Sequence, residues 1–436
     1  MSVGVSNYEV FPCVILSEKK QRVTIKPCGD AAKFEDGTEY TVSILPTEHS
    51  EVTYVSESWD SVPESWDRYD KITVKPQNGV ISFEYIFEDE QQWAIDVYRD
   101  GDTKQLKRFF VYSVFEDLYE RHPYMGDLHA HSCRSDGAEE PAVVAANYRR
   151  EGFDFMGLTD HSKWRPSQEA IDKYEGVDID ILLCHGEEVH LRGNLHIVNF
   201  GSDYSVNELY YKNEEEIHAM IVKESETLKT PKGVNPLEYA YRKWACEQIR
   251  KSGGLCIIPH PFWIHGPYQY NMRSKMLDYV FESGIYDAFE LIGGQSVHEN
   301  NLQIAFYNDQ LQKGRKIPVV GSSDSHGTEP ARYFKQSKTL VFAKSLDCSS
   351  VCQAVKDSYS VAIDSMPNES YRVYGSFRLV KYARFLLTHY FPYHDRLCFE
   401  EGRLMRDYIN GDENAKKMLS LLHGRTENYR KKKLGR

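Results

Sequence analysis

The sequence lacks the features that mark a membrane protein or a disulfide-rich secreted one. No run approaches the roughly 18 apolar residues that a membrane-spanning helix needs, so no span is predicted. The first residues, MSVGVSNYEVFPC, have no basic region followed by an apolar run, which a secretory signal would show. The nine cysteines are scattered and form no CxxC pair. This pattern favours reduced thiols and a cytoplasmic location.

An excess of positive charge is also missing, since the formal net charge is -12. Sequence-independent binding to nucleic acid or to a membrane surface needs a basic field, so we expect neither partner. The basic C-terminal run RKKKLGR is interpreted as a solvated terminus. A small phosphorylated substrate is still compatible with this charge, because local cations can recruit it. The sequence does not indicate an oligomeric state.

The N-terminal part of the chain, residues 1–118, is rich in strand-forming sequence. Segments such as EYTVSIL, VISFEYIF and WAIDVYRD are short, rich in β-branched and aromatic residues, and separated by Gly, Pro, Asn and Asp. We interpret this part as a small β-rich, sandwich-like domain. Its tryptophans could form a ligand platform, but core packing is favoured for Trp59, Trp66 and Trp93.

The sequence pattern changes near residue 119. From there to residue 366, short apolar strands alternate with helical stretches, which is typical of a parallel sheet or a β/α barrel. Polar residues follow the strands, where barrel enzymes place their active sites. Residues 203–247 form a charged, mostly helical insertion that we expect to cover the site, and residues 367–436 form a helical C-terminal extension.

Histidines and carboxylates recur at the predicted strand ends. His129 and His131 are two residues apart, so period-two geometry turns both imidazoles to one face of a strand. The other candidates of this cluster are Asp136, Asp160, His161, Glu187, Glu188, His196, His260, Asp324 and His326. Each residue alone would more often be structural than a ligand. Together they would be costly to bury without a cation, so the set predicts a metal site.

The size of this cluster indicates more than one metal ion. A single tetrahedral zinc needs only three or four ligands, and a carboxylate such as Glu188 can bridge two cations. Imidazole and carboxylate ligands suit manganese, iron and zinc. We therefore predict two or three divalent ions as cofactors. Clustered metals suit phosphoryl chemistry, because they activate a hydroxide and stabilise the attacking and leaving oxygens.

The motifs, in order and spacing, resemble those of the PHP superfamily, named for polymerase and histidinol phosphatase. The resemblance covers about residues 122–330 and rests on GDLHAHSCRSDG, GLTDHS, GEEVH, LHIVNFG, PHP and GSSDSHG. It implies a distorted seven-stranded β/α barrel with a trinuclear metal site. The implied ligands of the first metal are His129, His131, Glu188 and Asp324. Those of the second are Glu188, His196 and His260. Those of the third are Asp136, His161 and His326.

The same resemblance assigns roles to neighbouring acids. The family spacing Gly-any-Glu aligns Gly186 and Glu188, so Glu187 is not expected to be a ligand. Asp127 and Asp160 are expected to orient neighbouring histidine rings. Glu290, at another strand end, is interpreted as structural.

The implied activity is hydrolysis of a phosphate ester, a monoester or nucleotide-type substrate, by a metal-activated hydroxide. The residues expected to be catalytic are Asp136, His161, Glu188 and Asp324. Those expected to bind substrate are Arg134, Lys163, Arg165, Arg192 and Trp263, although a surface salt bridge or core packing is an equally good reading of each. Two alternatives stay open: a catalytically weak metal-binding accessory domain, and an amidohydrolase-like hydrolase, since those barrels also carry an HxH motif.

Overall fold

Short β-branched and aromatic segments form most of the strands in the computed structural model. The structure describes residues 7–29, 33–48, 70–99, 106–193, 195–266, 269–328, 333–366 and 369–436. The chain divides into two units, one of Met1–Glu120, Lys381–His394 and Gly424–Arg436, the other of Arg121–Val380 and Asp395–His423. Two of the tryptophans considered above, Trp59 and Trp66, lie outside the described residues.

Both units contain strands, and the described helices lie mainly in the second. The strands are β1 Tyr8–Phe11, β2 Val14–Leu16, β3 Lys20–Pro27, β4 Tyr40–Pro46, β5 Asp70–Val74, β6 Ile81–Ile86, β7 Gln92–Arg99, β8 Lys107–Val114, β9 His122–Asp127, β10 Phe155–Gly157, β11 Leu182–Cys184, β12 Gly186–Val189, β13 Ile197–Phe200, β14 Leu255–Ile258, β15 Ile264–His265, β16 Gln269–Tyr270, β17 Ala288–Ile292, β18 Val319–Gly321, β19 Ser337–Ala343, β20 Ser360–Asp364 and β21 Arg372–Tyr374. The helices are α1 Glu116–Tyr119, α2 Pro141–Arg150, α3 Arg165–Lys173, α4 Val206–Lys212, α5 Glu214–Ser225, α6 Pro236–Lys251, α7 Ser274–Ser283, α8 Val297–Gln312, α9 Cys348–Lys356, α10 Phe377–His389, α11 Phe391–Ile409, α12 Glu413–Leu422 and α13 Arg425–Leu434.

The first unit is built from two sheets that share one hydrophobic core. One sheet has the order β1-β3-β6 and the other the order β2-β8-β7-β4-β5. In β6 the buried Ile81 and Phe83 alternate with the exposed Ser82 and Glu84, as expected for a strand with one buried face. Trp93 is a core residue, since only 3% of it is exposed, as the sequence favoured.

The second unit is a mixed α/β structure. Within the described residues its sheets have the orders β11-β10-β9-β19-β20-β21 and β12-β13-β14-β17-β18, with a separate hairpin of β15 and β16. The pairs β9–β10, β10–β11, β14–β17 and β17–β18 are parallel. The pairs β12–β13, β13–β14, β9–β19 and β19–β20 are antiparallel. The α/β class is therefore confirmed, whereas a closed seven-stranded barrel stays a prediction.

Helices cover the apolar strands of the second unit. The residues of β14 and β17 are buried throughout, as expected for strands that are covered on both faces. The segment 203–247 contains α4, α5 and most of α6. Its last helix, α6, buries Tyr241, Trp244 and Ile249 in a hydrophobic core. The covering of the site by this segment stays a prediction.

The cysteines differ in part from the expectation of reduced thiols. A disulfide bond joins Cys184, the last residue of β11, to Cys348, the first residue of α9. The remaining seven cysteines are free. The prediction is therefore wrong for this one pair, which the sequence could not indicate because 164 positions separate its members. No helix in the described part of the chain is long and apolar enough to cross a membrane.

Candidate metal centre

The ends of β9 and β18 deliver three potential ligands to one point. Beyond β9, His129 and His131 are both buried and face the same side, as their spacing predicts. Their Nε2 atoms are 3.2 Å apart. Oδ1 of Asp324 lies 3.2 Å from Nε2 of His129 and 3.0 Å from Nε2 of His131. A parallel bridge between Ala130 and Ser325 holds the two segments in this register.

The carboxylate of Glu188, on β12, lies at the centre of the cluster. Its Oε2 is buried and accepts no hydrogen bond within the described structure. Four imidazole nitrogens nevertheless surround that oxygen, at 3.5 Å for His129, 3.6 Å for His131, 2.8 Å for His161 and 3.6 Å for His190. A buried anionic oxygen without a donor is costly. Ligand atoms about 2 Å from a shared metal would lie roughly 3 Å apart, so the spacing fits a divalent ion.

The second carboxylate oxygen of Glu188 faces a different pair of rings. Oε1 lies 2.6 Å from Nδ1 of His196 and 3.2 Å from Nε2 of His260. His196 directly precedes β13, and His260 follows β14 by two residues. The two oxygens of one buried carboxylate therefore face two different sets of imidazoles. This is the arrangement that a bridging ligand requires.

A third group lies at the exposed side of the cluster. Oδ2 of Asp136 is 3.4 Å from Nε2 of His161 and 3.3 Å from Nε2 of His326. Asp136 stands in the loop after His131, and its side chain is 54% exposed. The next residue, Gly137, packs so closely that a Cβ there would lie 2.7 Å from the carbonyl oxygen of His131. Any larger residue at 137 would therefore displace the loop that carries Asp136.

The electrostatics of the cluster keep its carboxylates Asp136 and Asp324 ionised. Burial alone would raise the pKa of Asp136, but hydrogen bonds and charge from His161 and His326 hold it well below its usual range. The pKa of Asp324 is also lowered, because the neighbouring histidines outweigh burial. Burial lowers the pKa of His196 to about 4, so that ring is neutral and able to coordinate at neutral pH. The carboxylates are thus ionised where several imidazoles converge.

Two of the predicted ligands have unusual backbone conformations. His260 has φ +24° and Asp324 has φ +49°, values in the left-handed region that non-glycine residues seldom adopt. Such conformations persist where surrounding contacts over-determine them, and they concentrate at functional sites. The backbone amide of His260 donates to Glu290 at 3.2 Å, and that of Asp324 donates to the carbonyl of His129 at 2.9 Å.

Neighbouring acids hold the ligands in place, although not all in the expected way. Glu290 is structural, as predicted: its Oε2 lies 3.0 Å from Nδ1 of His129 and so turns Nε2 of that ring toward the centre. Asp127 does not orient a ring. Its carboxylate accepts hydrogen bonds from the backbone amides of His129 and Ser323 and from the hydroxyl of Tyr148.

Asp160 likewise organises backbone rather than an imidazole. Its carboxylate accepts from the amide and hydroxyl of Ser132 and from the amide and hydroxyl of Ser135. These bonds shape the loop between His131 and Asp136. The expectation that Asp160 orients a histidine ring is therefore wrong, because its side chain turns toward this loop.

Glu187 faces away from the cluster, on the opposite side of β12 from Glu188. Its carboxylate accepts from the hydroxyl of Ser205 at 2.6 Å, from the amide of Val206 at 2.5 Å and from the side-chain amide of Asn207 at 3.2 Å. The acid thereby anchors the N-terminus of α4, where the helix dipole favours a negative charge.

His190, the last residue of the motif GEEVH, belongs to the cluster but is absent from the predicted ligands. It follows Glu188 by two residues, and its Nε2 lies 2.9 Å from Nδ1 of His161. The ring centroid is 4.1 Å from that of His196. The signal for it was the same period-two spacing that identified His129 and His131.

The basic side chains that were expected to bind a substrate phosphate contact other protein groups instead. Arg134 forms ion pairs with Glu140 and Glu169. The ammonium of Lys163 donates to the backbone carbonyl of Arg134. Binding of substrate by these two residues stays a prediction.

The other two basic candidates also face carboxylates. Nε of Arg192 lies 2.8 Å from Glu214, and its guanidinium reaches Glu215 at 3.2 Å. Arg165 is 88% exposed and lies 3.9 Å from Glu208. Both contacts are surface ion pairs, which are weak in water.

Trp263 is the predicted substrate contact that does reach the cluster. Its ring centroid lies 5.7 Å from that of His196 and 5.7 Å from that of His260, with both pairs steeply tilted. The hairpin of β15 and β16 begins at the next residue. The indole therefore forms an apolar wall beside two of the predicted ligands.

No family model matches the chain, and neither does any curated protein. Among solved structures, it is similar to a two-domain protein of Bacteroides vulgatus that contains a predicted PHP-like metal-dependent phosphoesterase, at 19% identity and TM-score 0.40 over 56% of this chain and 65% of that one. The chain thus spans about 65% of that two-domain protein.

Two further solved structures are similar to the chain. A candidate metal-dependent phosphoesterase of Bifidobacterium adolescentis matches at 17% identity and TM-score 0.33, over 46% of this chain and 87% of that one. An amidohydrolase of Chromobacterium violaceum, with bound sulfate and no metal, matches at 16% identity and TM-score 0.32, over 56% of this chain and 99% of that one.

Proposed function

We propose that the protein is a metal-dependent phosphoesterase that hydrolyses a small phosphorylated compound. The observation that carries this proposal is the position of Glu188. This buried carboxylate presents Oε2 to His129 and His131 and Oε1 to His196 and His260. A carboxylate between two sets of imidazoles suits two adjacent divalent ions, and adjacent ions suit phosphoryl transfer.

We assign the residues that would hold the ions to the three sets that the resemblance implies. They are His129, His131, Glu188 and Asp324 for the first, Glu188, His196 and His260 for the second, and Asp136, His161 and His326 for the third. Manganese, iron and zinc all accept such nitrogen and oxygen ligands. Bound ions would supply a nucleophile at neutral pH and offset the negative charge on phosphoryl oxygens.

The protein itself supplies position and surroundings. Glu290 fixes the ring of His129, and the backbone carbonyl of Asp324 lies 2.8 Å from Nδ1 of His326, which leaves Nε2 of that ring directed at Asp136. Such hydrogen bonds select the tautomer that a metal needs. Trp263 would contact the part of the substrate that carries the phosphate, since it borders the cluster at His196.

Turnover of simple esters by metal-loaded protein tests the proposal. We expect manganese-loaded protein to release p-nitrophenol from p-nitrophenyl phosphate, and the metal-free protein to do so far more slowly. Bis(p-nitrophenyl) phosphate and p-nitroacetanilide serve as diester and amide comparisons. Hydrolysis of the anilide alone would favour the amidohydrolase alternative. Binding of about two or more ions without turnover of any ester would favour an accessory metal-binding domain instead.

A further inference from the structure

His190 is held beside the cluster by a helix that lies behind it. Its backbone amide donates to Oδ1 of Asn207 at 3.1 Å, and its carbonyl accepts from the hydroxyl of Tyr211 at 3.0 Å. Both partners belong to α4. His190 lies two residues beyond Glu188, so its side chain leaves the strand on the same face as that carboxylate. The backbone is thus fixed while the ring is directed at the metal centre.

The ring of His190 presents a nitrogen where a ligand is needed. Its Nε2 lies 3.6 Å from the orphaned Oε2 of Glu188 and 2.9 Å from Nδ1 of His161. Ligand atoms of His161, Glu188, His190 and His196 all lie within 4.8 Å of one another. Donors bound to one tetrahedral ion lie about 3.3 Å apart, so this group is close to the required spacing.

We propose that His190 is a metal ligand, and that it joins Glu188 and His196 in holding one of the ions. The inference rests on the metal centre proposed above and adds a residue to it. These three residues offer one carboxylate and two imidazoles, which is the minimum for a tightly held ion. That ion should then be retained more firmly than it would be without His190.

The alternative role for His190 is that of a hydrogen-bond partner alone. In that role it would accept a hydrogen bond from Nδ1 of His161, whose Nε2 faces Asp136. Acceptors of that kind are usually carboxylates, backbone carbonyls or water. A glutamine at position 190 separates the two readings, because its amide can keep a hydrogen bond to His161 but is a poor metal ligand.

Metal retention is the measurement that tests the proposal. Wild-type protein, His190→Ala, His190→Gln and the control His185→Ala are loaded with zinc, dialysed against a competing chelator and analysed for metal per chain. His185 is a matched control, since it directly precedes the same strand but stacks on Trp164 at 4.2 Å, away from the cluster. The visible spectrum of cobalt-substituted protein provides a second readout that does not depend on activity.

Both variants at position 190 should lose about one equivalent that wild type and His185→Ala retain. Loss of an outer hydrogen-bond partner weakens metal affinity about 10- to 100-fold, so loss of a direct ligand should weaken it at least tenfold. The cobalt spectrum should change in both variants. Wild-type retention and spectrum in His190→Gln would overturn the inference and leave His190 a hydrogen-bond partner. Failure of wild type to bind any metal would overturn the proposed function itself.

Discussion

At the scale of single residues, the adjacent acids of β12 should differ sharply when they are substituted. Glu188→Gln keeps the size of the side chain but removes the charge that two cations would share. Turnover should fall on the order of a thousandfold, or about 4 kcal/mol at the barrier. Glu187→Gln should leave turnover nearly unchanged, because Glu187 faces Ser205 and Val206 rather than the cluster.

The two variants can be compared by steady-state kinetics, with metal content and urea unfolding measured in parallel. Glu187→Gln should instead lower the free energy of unfolding by about 1–3 kcal/mol, since an amide replaces a charged acceptor of several hydrogen bonds. A larger loss of turnover in Glu187→Gln than in Glu188→Gln would show that the bridging ligand is misassigned.

Residue spacing predicted the positions of the histidines in the cluster better than it predicted the contacts of the basic side chains. His129 and His131 converge because alternate strand residues share a face, which the sequence displays directly. His190 obeys the same rule relative to Glu188 and lies within the motif GEEVH, but the resemblance assigns it no role. The partners of Arg134 could not be foreseen, since Glu169 is 35 residues away and meets it only through the fold.

At the scale of elements, α10 carries a histidine whose titration should make stability depend on pH. His389 packs against Phe385 and Phe110, with ring centroids 4.8 Å and 5.3 Å away. Burial, with a smaller effect of Lys433, lowers its pKa to about 4 from the usual 6.5. The unfolded chain therefore binds a proton between pH 6.5 and 4 that the folded chain does not, so acid favours unfolding in this window.

Protonation of His389 should lower the free energy of unfolding on the order of 3 kcal/mol as the pH falls from 7 to 4. This figure follows from the difference of about 2.5 between the pKa of His389 in the unfolded chain and in the folded chain. His389→Phe keeps an aromatic ring among the phenylalanines and removes the titration. Urea unfolding of both proteins at several pH values gives the difference directly. The wild type should lose stability relative to the variant below about pH 6.5. A pH-independent difference would mean that His389 titrates normally in the fold.

The sequence predicted strands and helices in the second unit, but it did not predict the direction of the strands. The alternation of apolar strand segments with helical segments predicted the α/β class of this unit. The antiparallel pairs β12–β13 and β19–β20 depart from an all-parallel expectation. The direction of a strand depends on the connection that leads to it. A short link such as the one between β12 and β13 makes the chain reverse, so the two strands pair antiparallel.

At the scale of the whole molecule, the disulfide between Cys184 and Cys348 should be measurable by thiol counting. Denatured, unreduced protein should yield seven thiols, and reduced protein the full nine. The bond closes a loop of 164 positions, which in the chain-entropy model stabilises the fold by about 5 kcal/mol. Cys184→Ser should therefore lower Tm on the order of 10 °C in calorimetry. Nine thiols before reduction would show that the bond does not form.

The position of β12 between a helix and the metal centre implies thermodynamic linkage. One face of this strand anchors α4 through Glu187, and the other presents Glu188. Asn207 contacts both Glu187 and the backbone of His190 without facing the cluster. If metal binding stabilises α4 through β12, then α4 must increase the metal affinity by the same free energy, because coupling free energies are reciprocal. Bound metal should therefore slow hydrogen exchange of the amides in α4, and Asn207→Ala should weaken metal retention. Unchanged exchange in α4 on metal binding, together with unchanged metal retention in Asn207→Ala, would show that the helix and the metal centre are energetically separate.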